Sequence, residues 1–227
     1  VTRGDLARLF DVADTAPHPA RFTPAVAAVM VRQLAGARLV LDPFAGTGGI
    51  HHIADTIGAR SVGVELQPKW AAWHPRTIVG NARALPFADA GVDAIGTSPS
   101  FGNRMADHHH ARDDSYRRTY RHLYGEPLHP DNAGAMPWGP KYRAIHEQAW
   151  AEAVRVLQPH GRLVLNMKDH KRAGRVVPVT AWHIQTLCAL GLTRTDHVRL
   201  ATPGYRRGAN RDRVDHESVI TFTKDRP

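Results

Sequence analysis

Two short stretches of this chain carry residue types able to do chemistry: Asp42-Pro43-Phe44-Ala45-Gly46-Thr47-Gly48-Gly49 and Thr97-Ser98-Pro99-Ser100-Phe101, each following an apolar run that reads as a strand. Gly46 and Gly48 fall where the first strand must turn sharply into a helix, and glycine there lets the backbone approach a ligand that a Cβ would exclude. A dinucleotide loop would carry a third glycine at the sixth position, which here is His51. Asp42 offers a carboxylate that can accept from an ammonium group, a role with no counterpart in holding a pyrophosphate. Glu65, nineteen residues after Gly46, ends the next apolar run, where a carboxylate can accept both hydroxyls of a ribose. The first stretch therefore predicts a nucleoside ligand with a cationic tail, and the second stands ready to act beside it.

The elements that would position these residues alternate in type. After a proline-rich break at His18 to Pro24, helical spacing covers Ala25 to Leu34. Strands are expected at Arg38 to Leu41, Ser61 to Leu66, Thr77 to Gly80 and Val92 to Thr97, with a helix at Ile50 to Ile57. Such alternation predicts a parallel α/β sheet covered on both faces. The pattern stops at Phe101 and resumes near Tyr142, leaving an inserted lid or recognition segment at about 101–140. A helix at Tyr142 to Leu157, a strand at Gly161 to Asn166 and a helix at Thr180 to Leu190 follow. The end reads as two strands, Leu192 to Leu200 and Ser218 to Thr223, joined by a basic loop. With 227 residues the chain is expected to form one domain, 1–227.

In this order and separation the motifs resemble those of DNA amino-methyltransferases of the N4-cytosine/N6-adenine type. His18-Pro19-Ala20-Arg21-Phe22 is similar to the family's N-terminal cofactor motif, and Asn166-Met167-Lys168-Asp169 and His216-Glu217-Ser218-Val219-Ile220 also fit. The stretch from Thr97 through Gly102-Asn103-Arg104-Met105 to Trp138 further resembles methylases of phages of high-GC Gram-positive bacteria. The resemblance implies a Rossmann-like class I methyltransferase: a mostly parallel seven-stranded sheet with an antiparallel last strand and helices on both faces. It implies S-adenosylmethionine as cofactor, bound by Phe22, Thr23, Asp42, Pro43, Phe44, Gly46, Gly48, Glu65, Asn81, Ala82 and Ser98.

Carried over from the family, Ser98 Oγ and the Pro99 carbonyl accept the two N–H bonds of an exocyclic amine, and Phe101 stacks on the extruded base. Two departures stand out: Ser100 replaces a second proline, and Phe101 replaces the commoner tyrosine. Serine at the first position points to cytosine N4 in DNA. Adenine N6 and an RNA base remain as alternatives, as does a catalytically weak nucleic-acid-binding module that retains the fold. Cytosine C5 chemistry needs a thiolate, and the single cysteine, Cys188, lies far from the motif in an expected buried helix position.

A formal charge of +9 favours an anionic partner, DNA on this reading. Asn166 to Arg213 holds ten Lys or Arg against three Asp, so +7 of the excess sits in the C-terminal third. Arg206, Arg207 and Arg211 in the basic loop, and Arg104, Arg117 and Arg118 interleaved with tyrosines in the insertion, are the expected nucleic-acid contacts. His108 to His110, His122 and His129 have no cysteine near to complete a ligand set, so no metal is expected. No apolar run reaches the ~18 residues of a membrane span, and a cytoplasmic protein of a bacterial host cell is the expectation.

Overall fold

The computed structural model describes residues 22–102, 124–202 and 214–225. Its frame is a seven-stranded sheet in the order β3-β2-β1-β4-β5-β9-β8. The strands are β1 (Leu39–Asp42), β2 (Arg60–Glu65), β3 (Thr77–Val79), β4 (Val92–Thr97), β5 (Leu157–Met167), β8 (Leu192–Ala201) and β9 (His216–Lys224). Strands β1 to β5 pair in parallel, while β9 runs antiparallel between β5 and β8. A separate two-stranded ribbon joins β6 (His170–Arg172) to β7 (Arg175–Val177). The helices are α1 (Pro24–Leu34), α2 (Gly49–Thr56), the single turn α3 (Pro68–Ala71), α4 (Pro140–Val156) and α5 (Val179–Ala189).

Local chemistry explains the helix starts. Thr23 caps α1 by accepting from Val26 N at 3.3 Å, and Pro24 and Pro140 open α1 and α4, where a missing N–H costs nothing. The strand sequences look uniformly apolar because both faces of a parallel sheet are covered. Alternate residues separate into two cores: Leu41, Ile95, Leu165 and Phe222 pack on the α4 and α5 side. Val40, Ala94, Val164 and Val219 pack on the α1 and α2 side.

Three features depart from expectation. Cys188 is exposed rather than buried. The buried face of α5 runs through Val179, His183 and Leu187 at four-residue spacing, and Cys188 sits one position off that stripe. The β6–β7 ribbon and the turn α3 lie where no element was expected. Ala173 (φ 48°) and Gly174 (φ 74°) both adopt the left-handed conformation, which makes a two-residue hairpin turn whose twist matches that of its strands. Among the described residues no helix is long and apolar enough to cross a membrane.

Candidate active site

The candidate residues gather at the carboxyl ends of β1, β2, β4 and β5, beside the point between β1 and β4 where the strand order reverses. Loops diverge there and leave a crevice, which is where open α/β sheets take ligands. Asp42 ends β1 and is only 2% exposed. Its Oδ1 accepts from Phe44 N at 2.9 Å and from the Thr97 hydroxyl at 2.6 Å, tying the two loops together. Among the described residues, Oδ2 has no protein partner. Burial pushes the Asp42 carboxyl up to about 7, against the lowering effect of the Thr97 and Phe44 hydrogen bonds.

Glu65 ends β2. Its Oε2 accepts from Gly46 N and its Oε1 from Gln67 N, both at 2.8 Å, so it braces the glycine turn. Burial raises it too, to about 7. The turn itself demands glycine: Gly48 has φ +92°, and a Cβ there would stand 2.8 Å from the side chains of His51 and His74. His51 lies beneath, with Nδ1 2.9 Å from Ser61 Oγ and Nε2 2.9 Å from Thr77 Oγ1, linking α2, β2 and β3. Burial holds it neutral, its pKa lowered to about 3. The Phe22 ring packs against the start of α2, 3.2 Å from where a Gly49 Cβ would be. Pro43 is buried, and Phe44 stacks on His146 with ring centroids 5.5 Å apart.

Past the end of β2 lies an open cleft of about 580 Å³ whose lining includes Leu66, Gln67, Gly80, Asn81, Tyr124 and His129. Gln67 Nε2 is buried there without a hydrogen-bond partner among the described residues. Such an orphaned donor is costly unless a ligand supplies an acceptor. Asn81 turns inward on itself, Oδ1 accepting from Arg83 N, and Ala82 is buried behind it. The residues present therefore fit S-adenosylmethionine: a glycine cradle, a free Asp42 oxygen for an ammonium, Glu65 for a ribose, and an unpaired amide along the cleft. From the end of the inserted segment, Tyr124, Glu126, Pro127 and His129 line this cleft. Lys69 reaches across to it, pairing with Glu126 at 2.8 Å.

The Ser98-Pro99-Ser100-Phe101 loop is tied to both β5 and α4. The Ser98 hydroxyl donates to Asn166 Oδ1 on β5 at 3.0 Å, and Asn166 Nδ2 donates to the Ser218 carbonyl at 3.3 Å. The Ser100 carbonyl accepts from the Tyr142 hydroxyl of α4 at 2.6 Å. Just past the loop, the Gly102 carbonyl accepts from Trp138 N at 2.7 Å. Pro99 is buried, Phe101 is half-buried against the core, and Ser100 Oγ is buried without a partner among the described residues.

Tyr142 belongs to a buried chain of one polarity. Trp150 Nε1–H donates to His183 Nδ1 at 2.9 Å. His183 must then carry its proton on Nε2, 2.9 Å from the Tyr142 oxygen, which in turn donates its own hydrogen bond to the Ser100 carbonyl. Burial keeps His183 neutral, well below its ordinary pKa. Sequence reasoning missed Tyr142, His183 and the role of Asn166; the one available signal was the spacing of Tyr142, His146 and Trp150 along one helix face. Arg104, Arg117, Arg118, Arg206, Arg207 and Arg211 lie outside the described residues. Among the described residues no group of three or more His, Cys, Asp or Glu could hold a metal.

No family model matches the chain, and no curated protein matches it. Solved structures do. The [4+2]-cyclase SpnF is 15% identical, with a TM-score of 0.59, covering 98% of this chain and 94% of its own. A putative methyltransferase of Haloferax volcanii, solved with the Trm112 methyltransferase activator, is 14% identical with a TM-score of 0.56 over 98% of this chain and 95% of the other. The chain has the class I methyltransferase fold. Geranyl diphosphate C-methyltransferase from Streptomyces coelicolor, solved with S-adenosyl-L-homocysteine, shares that fold at 16% identity and a TM-score of 0.56, over 88% and 77% of the two chains. TrmN from Thermus thermophilus, at 20% identity and a TM-score of 0.52, matches 96% of this chain but only 52% of its own.

Proposed function

We propose that this protein uses S-adenosylmethionine to methylate an exocyclic amine of a nucleobase in a polynucleotide, with cytosine N4 in DNA as the first candidate. One observation carries the reading: the Ser98 hydroxyl donates to Asn166, so the lone pairs of Oγ are left to accept. An exocyclic amine conjugated to a ring has a delocalised lone pair and is a poor nucleophile. Two acceptors on its N–H bonds, Ser98 Oγ and the Pro99 carbonyl, would turn that lone pair out of the ring plane, and Phe101 would stack on the base. The cofactor supplies an electrophilic methyl group. Asp42, Glu65, Gly46, Gly48 and the Gln67 amide would hold it, with Phe22, Phe44, Asn81 and Ala82 around it. No strong base is needed beforehand, because the amine proton becomes acidic only once its nitrogen is alkylated. Serine in the first position favours cytosine over adenine on family resemblance. The same pair of acceptors suits adenine N6 and an RNA base.

The test is methyl transfer from labelled cofactor to DNA and to RNA of matched sequence, with the products digested and resolved as nucleosides by mass spectrometry. N4-methylcytosine in DNA is expected, and Ser98→Ala should lower the rate at least about tenfold, one lost hydrogen bond to the reacting group, while cofactor binding persists. N6-methyladenine or a methylated RNA base would keep the amine chemistry and replace the assigned base. No labelled nucleoside despite cofactor binding would refute the enzymatic reading.

A further inference from the structure

The β6–β7 ribbon carries the densest unpaired positive charge among the described residues. Lys171, Arg172 and Arg175 are exposed within five consecutive residues. None of the three has an acidic partner at ion-pair distance among the described residues. The pairing register sets Arg172 directly opposite Arg175. Like charges in that position repel.

The same register fixes where the two arginines point. Side chains two apart on a strand share a face, as do directly paired residues on neighbouring strands. His170, Arg172 and Arg175 therefore share one face of the ribbon. The ribbon also starts three residues past the end of β5, the strand beside β4, and β4 leads directly into the Ser98–Phe101 loop. Two arginines are thus presented on a ribbon that leaves the sheet beside the loop assigned to the target base.

We propose that Arg172 and Arg175 form a phosphate clamp, gripping the phosphodiester backbone next to the nucleotide whose base enters the Ser98–Phe101 loop. The clamp rests on the nucleobase reading above. Planar guanidinium forks suit phosphate oxygens, and a phosphodiester between them would relieve the Arg172–Arg175 repulsion. The contact is to backbone, so it positions the strand without reading sequence. Lys171, on the opposite face, lies outside the clamp.

The test measures the affinity of the full chain for a single-stranded DNA and for an RNA of the same sequence across a range of salt concentrations. The comparison is wild type against Arg172→Ala/Arg175→Ala and against Arg172→Lys/Arg175→Lys. Loss of two phosphate contacts should flatten the slope of log affinity on log salt by about 1.4 for a single strand. The lysine pair should restore most of the slope, while melting temperature and cofactor affinity stay at wild-type values. The nucleic acid on which the slope change appears identifies the backbone that the clamp takes. Wild-type binding with an unchanged slope in the alanine pair would overturn the clamp and leave the nucleobase reading standing. A wild-type protein that neither binds nor methylates DNA or RNA would overturn both.

Discussion

Replacing Asp42 with asparagine separates what this carboxyl does for the fold from what it does for the ligand. Burial raises the Asp42 pKa from an ordinary 3.8 to about 7, so the folded protein holds a proton that the unfolded chain releases. A carboxyl raised in this way costs stability as pH climbs from about 4 to about 7, and the cost is constant above that. Between pH 5.5 and 8.5 the folded state passes through its pKa. At about 1.4 kcal/mol for each tenfold change in proton affinity, Asp42 removes about 2 kcal/mol from the ligand-free protein over that interval. For a chain of 227 residues this is about 4–8 °C of melting temperature. Buried histidines act the other way: His51 and His146 have lowered pKa values, and the stability they lend is lost as pH falls through their ordinary 6.5. They are present in both proteins, so the Asp42→Asn difference cancels them. Melting curves of ligand-free wild type and Asp42→Asn at pH 5.5 and 8.5 supply the comparison, and titration calorimetry supplies cofactor affinity. The variant should gain about 4–8 °C on wild type between the two pH values, and bind the cofactor at least about tenfold more weakly for want of a charged partner. Equal pH responses in the two proteins would refute the burial argument. Unchanged cofactor affinity would remove Asp42 from the site.

Two further substitutions probe how the loops are held. Tyr142→Phe removes the donor to the Ser100 carbonyl and leaves His183 Nε2–H without its acceptor. It should cost about 1–3 kcal/mol of stability and lower kcat with cofactor affinity unchanged; a wild-type kcat in the folded variant would show that the tether does not position the loop. Gly48→Ala forces a left-handed residue to carry a Cβ 2.8 Å from His51 and His74. It should cost more than about 2 kcal/mol and abolish measurable cofactor binding, so a melting temperature and affinity at wild-type values would contradict the cradle geometry.

The chain's own order of residues was enough for the sheet and for the cradle. Strands such as Leu39–Asp42 and Val92–Thr97 are legible because both faces are buried, which writes a continuous apolar run into the sequence, and Gly46 and Gly48 mark the turn that follows. Periodicity also located the helices to within a few residues. It misjudged Cys188, because a helix with apolar residues on several sides does not announce which stripe faces the core.

What the sequence could not supply were partnerships between residues far apart along the chain. Ser98 meets Asn166 only because β4 and β5 are neighbours in the sheet. Ser100, Tyr142, His183 and Trp150 share one hydrogen-bond chain only because α4 and α5 pack on the same face. Ser100 lacks the fixed φ that a proline would bring, and the Tyr142 hydrogen bond to its carbonyl, made across 42 residues of chain, restrains that position instead. The ribbon was equally hidden, since three-residue strands leave no periodic trace and only the paired register reveals Arg172 facing Arg175. Local patterns record which face a residue shows to the core. Which other residue it meets there is decided by the packing of elements, and in this protein that packing decides how the candidate active site is held.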